Sequence, residues 1–67
     1  MDVETLHSVA IYYFEHTRTN CEFLKIYSFV EEDENYAFYG LFKCKRGIAL
    51  KKVILTSEGD FIDFISL

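Results

Sequence analysis

The spacing of apolar positions changes once along the chain, close to residue 20. Before that point Val3, Leu6, Val9 or Ala10, Tyr13 and Phe14 recur at intervals of three and four, the stripe of a helix with one buried face. The pattern predicts a helix from about Asp2 to Thr17. Asp2 stands where an N-cap carboxylate accepts from free backbone N–H groups, Glu4 falls in the first turn, and His16 and Arg18 close the segment, as the helix dipole favours. Thr17-Arg18-Thr19-Asn20 contains the exit.

After it the pattern reads as strand throughout. Cys21 to Val30 is rich in β-branched and aromatic residues, Glu31 to Asn35 is a polar break, and Tyr36 to Lys45 follows. Arg46-Gly47 reads as a tight turn before Ile48 to Thr56. Glu58-Gly59, within Ser57 to Asp60, is the next turn, and Phe61 to Leu67 is the last strand; glycine supplies the positive φ that short hairpin loops require. Short connections in succession make an antiparallel meander. The expected fold is α+β: one N-terminal helix packed on a four-stranded antiparallel β-meander, order α-β-β-β-β, with residues 1–67 forming one compact unit.

Register then sorts the strand residues into two faces, because opposed residues share a face. With Val30 opposite Tyr36, Lys45 opposite Ile48 and Ser57 opposite Asp60, one face carries Leu24, Ile26, Ser28, Val30, Phe38, Gly40, Phe42, Cys44, Ala49, Val53, Leu55, Ile62 and Phe64. This is the face expected under the helix, and Gly40 in mid-strand leaves room for another element to approach. The other face carries Phe23, Lys25, Tyr27, Phe29, Tyr39, Leu41, Lys43, Ile48, Leu50, Lys52, Ile54, Phe61, Asp63, Ile65 and Leu67. Eleven of these fifteen are apolar, whereas a free sheet face normally alternates to polar residues. One more or one fewer residue in the acidic loop flips the first strand, and Phe23, Tyr27 and Phe29 then join the helix side.

Composition narrows the class. At 51% hydrophobic and 18% aromatic the chain is too apolar for intrinsic disorder, and 67 residues are too few for two domains or a self-contained multi-step catalytic cleft. The longest unbroken apolar run, Val9 to Phe14, is far short of the roughly 18–20 residues that span a bilayer, and no membrane association is expected. Asp2 and Glu4 oppose a signal peptide. Cys21 and Cys44 fall on opposite faces in this register, so a bond between them is expected to be geometrically poor and a reduced, cytoplasmic setting is the reading. Stability missing from so small a core is then expected from oligomerisation.

The two-faced sheet is the leading candidate for function. Phe23, Tyr27, Phe29, Tyr39, Leu41, Ile54 and Ile65 are the expected contact residues of an interface with a second copy of the chain, another protein, or both. The acidic run Glu31, Glu32, Asp33 and Glu34 suggests an alternative: an inhibitor, of a kind phages encode, that offers a phosphate-like negative patch to a basic partner. A third reading sets Lys25, Lys43 and Lys52 against Tyr27, Tyr39 and Phe29 as a single-strand nucleic-acid platform. The net charge of −4 and pI of 4.9 oppose it. His7 and His16, nine apart, point to opposite sides of a helix and share no metal, and His16 with Cys21 and Glu22 is too sparse a ligand set. Calcium is disfavoured because the acids are contiguous. Asp63 is expected to pair with Lys52 across strands rather than form a dyad. No nucleophile–base spacing, phosphate loop or nucleotide motif occurs, so no catalytic residue, metal or cofactor is assigned and an enzyme is not expected.

Overall fold

Helix α1 spans Val3–His16 and begins as its sequence dictates: the Asp2 carboxylate accepts from the Thr5 backbone N–H at 2.8 Å. The hydrogen bonds from Thr5 also hold the Asp2 carboxyl below its ordinary pKa. At the other end Thr17 leaves the helical conformation and its hydroxyl turns back to the Tyr13 carbonyl. The structure, a computed structural model, describes residues 1–67 throughout. Strands β1 (Glu22–Glu32), β2 (Asn35–Cys44), β3 (Gly47–Thr56) and β4 (Phe61–Ser66) follow the helix and form one antiparallel sheet in the order β1-β2-β3-β4. The α+β meander is therefore the fold.

Leu6, Ala10 and Phe14, one stripe of α1, are buried against Phe38 and Phe42 of β2 and Val53 and Leu55 of β3. Phe14 is the keystone. Its ring stacks on Phe23 at 5.3 Å between centroids and meets the edges of Phe42 and Phe64. Beneath it lies Gly40, where a Cβ would stand only 2.9–3.1 Å from three carbons of the Phe14 ring. The close approach expected of a mid-strand glycine is what brings the helix onto the sheet.

The turns differ from expectation, with unequal consequences. The β2–β3 turn is Lys45-Arg46, with Cys44 opposite Gly47, so the register is displaced by two from the expected Lys45–Ile48 pair. Two is a whole pleat repeat, and every face assignment in β2 and β3 survives. The β1–β2 turn is Asp33-Glu34, with Glu32 opposite Asn35; both turn residues hold positive φ, 46° and 70°. Both central residues of a type I′ hairpin turn require that conformation. Here the displacement is odd, and β1 flips. Phe29 lies opposite Phe38 and stacks on it at 5.4 Å, while Val30 and Ser28 move to the helix-free face. Two further irregularities leave Tyr27 and Leu24 as extra, unpaired residues, each a bulge that shifts the register again. In β4 an irregularity next to Ile54 and Leu55 sets Phe61 opposite Leu55, on the helix side, where it packs against Tyr13.

The cysteines are corrected by the same arithmetic. After the second bulge Phe23 pairs with Phe42 and Glu22 with Lys43, and the next step along both strands brings Cys21 opposite Cys44. Their Cα atoms are 4.4 Å apart and the two sulfurs are bonded. The expectation of two thiols on opposite faces fails because it inherits the wrong parity for the first strand. The disulfide ties the segment leaving the helix to the far end of β2.

Candidate interaction surface

The face of the sheet turned away from α1 is built of rows running across the strands. From the Cys44 end they are Glu22–Lys43–Ile48; Lys25–Leu41–Leu50, with Leu67 donating its N–H to the Leu50 carbonyl; Ser28–Tyr39–Lys52–Ile65; Val30–Ala37–Ile54–Asp63; and Glu32–Asn35–Thr56. Nine of these eighteen residues are apolar, a smaller share than the sequence register implies, yet no other element of the chain lies over them. Their arrangement matters more than their number. Leu41, Leu50, Tyr39, Ile54 and Ala37 lie on the two central strands, with Ile65 beside them on β4, while Glu22, Lys25, Lys43, Glu32 and Asp63 stand at the strand ends and on the two edge strands. An apolar centre with a charged rim is the anatomy of a protein interface.

One charge interrupts the centre. Lys52 is only 19% exposed at its side chain; its ammonium lies 5.5 Å from the Tyr39 ring centroid and 3.9 Å from the Glu32 carboxylate. Glu32 is two strands away and two rows further along, so the lysine stem runs diagonally past Ala37, the smallest side chain of the face. Ala37 is accordingly almost fully buried, at 1%, despite having no helix above it. The expected partner Asp63 is not the one used: its carboxylate accepts from the neighbouring Phe64 N–H at 2.8 Å.

Of the seven expected contact residues, Tyr39, Leu41, Ile54 and Ile65 share this face. Phe23 and Phe29 do not; they pack on the helix side against Phe14 and Phe38. Tyr27 sits in a bulge and is 64% exposed. The missed members are Val30, Ile48 and Leu50 together with the Lys52–Glu32 pair. Ile48 and Leu50 fall on this face in the sequence register too, and only the odd displacement of register at the acidic turn conceals Val30. The aromatic platform suggested for nucleic acid loses Tyr27 and Phe29 in the same correction, leaving Tyr39 alone among the lysines.

Charge is sorted lengthwise as well. The hairpin topology puts the β1–β2 and β3–β4 turns at one end of the sheet, and Met1 and Leu6 pack near Gly59 of the second turn, so the helix also begins there. Asp2, Glu4, Glu31, Glu32, Asp33, Glu34, Glu58 and Asp60, eight of the eleven acids, therefore gather at that end. No Lys or Arg is rooted among them; Lys52 alone reaches towards them from mid-sheet. Arg18, Lys25, Lys43, Lys45 and Arg46 lie towards the other end, around the disulfide. The expected acidic patch is thus larger than its four residues, although only Asp33 and Glu34 form the turn.

The histidines and cysteines lie outside this face. His7 meets the edge of Phe38, His16 stacks on Tyr12 with Nδ1 2.8 Å from the Tyr12 carbonyl oxygen, and Cys21 is consumed in the disulfide. No three His, Cys, Asp or Glu side chains converge on a point that could hold a metal ion. The surface depression at Glu4, Thr5, His7 and Ser8 is open and has no apolar lining. No helix is long and apolar enough to cross a membrane. The chain matches no family model, no curated protein and no solved structure.

Proposed function

We propose that this chain is a non-enzymatic interaction protein whose working surface is the helix-free sheet face, joined to the same face of a second copy. The observation that carries the reading is the apolar centre around Leu41, Leu50 and Ile54, partly buried within the sheet but covered by no other element, with Glu22, Lys25, Lys43, Glu32 and Asp63 among the residues at its edge. Its size supports a pair. Extents of 35 × 19 × 17 Å bound the face at roughly 600–650 Å² per copy, about 1,200–1,300 Å² for two, which reaches the lower limit of the roughly 1,200–2,000 Å² typical of stable complexes. A disulfide in so small a fold favours an oxidising setting over the reduced cytoplasm that the sequence suggests. A second reading, inhibition of a basic protein, draws on the acids gathered at one end and predicts capture that weakens with salt.

The test is solution mass by light scattering at two concentrations. A dimer is expected, and Leu41→Lys or Ile54→Lys should dissociate it without loss of the helix signal, because neither side chain belongs to the core under α1. A strict monomer at ~100 µM overturns the homodimer.

A further inference from the structure

The homodimer reading leaves open how the two faces are turned, and the lengthwise sorting of charge decides it. Two copies of a flat face related by a two-fold axis can meet in two ways. An axis parallel to the strands lays β1 over the partner's β4 and keeps like ends together. An axis running across the strands lays each strand over its own counterpart and exchanges the ends. The first arrangement stacks two acidic ends, neither with a basic residue rooted in it, in one region. The second sets the acidic end of each copy on the basic end of the other.

We infer that this chain pairs in the second way, as a crossed-end dimer centred on the row that holds Tyr39 and Lys52; the inference rests on the homodimer reading above. Reversing the rows about that centre has consequences that can be checked residue by residue. The two outermost rows exchange, so Lys43 of one copy meets Asn35 of the other, with Glu32 beside it on the neighbouring strand. The rows next to the centre also exchange, so Leu41 comes over the partner's Ala37 position, where the aliphatic stem of Lys52 crosses the face. Lys43 therefore comes within reach of a carboxylate, and Leu41 meets an aliphatic stem, in the same operation. The like-end arrangement sets Lys43 over Ile48, with no carboxylate of the partner beside it, and Ala37 over Ile54. Crossing the ends has two kinds of like-charge contact: Lys52 over its own counterpart in the central row, where each lysine already has Glu32 of its own chain as a partner, and Glu22 over Glu32 on the paired β1 strands, with Lys43 between them.

Charge reversal at two positions separates the arrangements, because each variant moves the two in opposite directions. Lys43→Glu removes the cation that faces the partner's acidic end, and the crossed-end dimer should weaken about tenfold or more. In a like-end dimer the same change relieves two stacked basic ends and tightens association. Glu22→Lys turns the Glu22–Glu32 contact into an opposite-charge pair twice over, and the crossed-end dimer should tighten roughly three- to tenfold. In a like-end dimer it adds a cation to each of two basic ends already together and weakens association. Glu22→Lys also sets a cation beside Lys43 within its own chain, but any resulting loss of monomer stability cannot tighten a dimer. Sedimentation equilibrium of the parent and both variants reads this directly. A parent that dimerises while either variant fails to move in the stated direction overturns the crossed-end arrangement but leaves the face as the interface; a parent that never dimerises overturns both. The parent's salt response is a check that needs no variant. Crossed ends predict weaker association at high salt, and like ends predict tighter association as repulsion is screened.

Discussion

Adding a single methyl group at position 40 tests the packing of helix on sheet more sharply than any deletion. Exchanging glycine for alanine in a strand normally helps: the unfolded chain loses freedom, a gain of about 0.4–1 kcal/mol. Here the new Cβ would stand 2.9, 3.0 and 3.1 Å from three carbons of the Phe14 ring. That ring is itself 1% exposed and held by Phe23, Phe42 and Phe64, so it has no empty space to enter. Overpacking of this kind costs about 1–3 kcal/mol, which outweighs the entropic gain. Gly40→Ala should therefore lose about 1–2 kcal/mol net, which for a chain of this length lowers Tm by roughly 4–16 °C. Urea denaturation and a thermal melt followed by circular dichroism measure both. The cause is isolated by repeating the exchange in a Phe14→Leu background, where the ring is gone and Gly40→Ala should become neutral or stabilising. A Gly40→Ala protein as stable as the parent, or the same loss in both backgrounds, refutes the claim that Phe14 packs on bare backbone.

Two further outcomes follow from the backbone and the covalent link. Closing a loop of sequence separation 23 restricts the unfolded chain by about 3 kcal/mol in the chain-entropy account, so a melt in reducing agent, or of Cys21→Ser with Cys44→Ser, should fall by more than about 10 °C; an unchanged melt would mean that the bond contributes nothing to the folded state in solution. Glu34 carries its side chain at φ 70°, and left-handed geometry costs a non-glycine residue about 1–2 kcal/mol, so Glu34→Gly should raise stability by up to about 1 kcal/mol in urea denaturation, once glycine's own entropy is subtracted. A loss of stability would show that the carboxylate itself holds the turn.

The parts of this fold that can be read from residues alone are those insensitive to counting errors. Asp2 caps by its own short reach, and the 3.6-residue stripe through Leu6, Ala10 and Phe14 needs no partner to be recognised. Between β2 and β3 the turn lies two residues from its expected place, and the faces are still correct because the pleat repeats every two. β1 has no such protection. A type I′ turn is normally announced by glycine or asparagine, and Asp33-Glu34 announces nothing, so an odd displacement has no signal in the sequence. The bulges at Leu24 and Tyr27 then shift the strand twice more without any glycine to mark them. The disulfide is hidden for the same reason: whether Cys21 faces Cys44 depends on the sum of three irregularities, none of which has a local signal. At the candidate surface, Tyr39, Leu41, Ile54 and Ile65 are legible because their strands keep parity, and Phe23 and Phe29 are not.

The bond between Cys21 and Cys44 also decides how the chain can be taken apart by machinery that pulls on it. A motor that threads polypeptide through a narrow channel from the N-terminus would draw in α1 as a single strand and then meet Cys21, beyond which a closed ring holding β1 and β2 must enter whole. Pulling from the C-terminus would strip β4 and β3 and halt at Cys44 in the same way. Until a reductant opens the ring, the β1–β2 hairpin is the part of the molecule that cannot be threaded as one extended strand from either end.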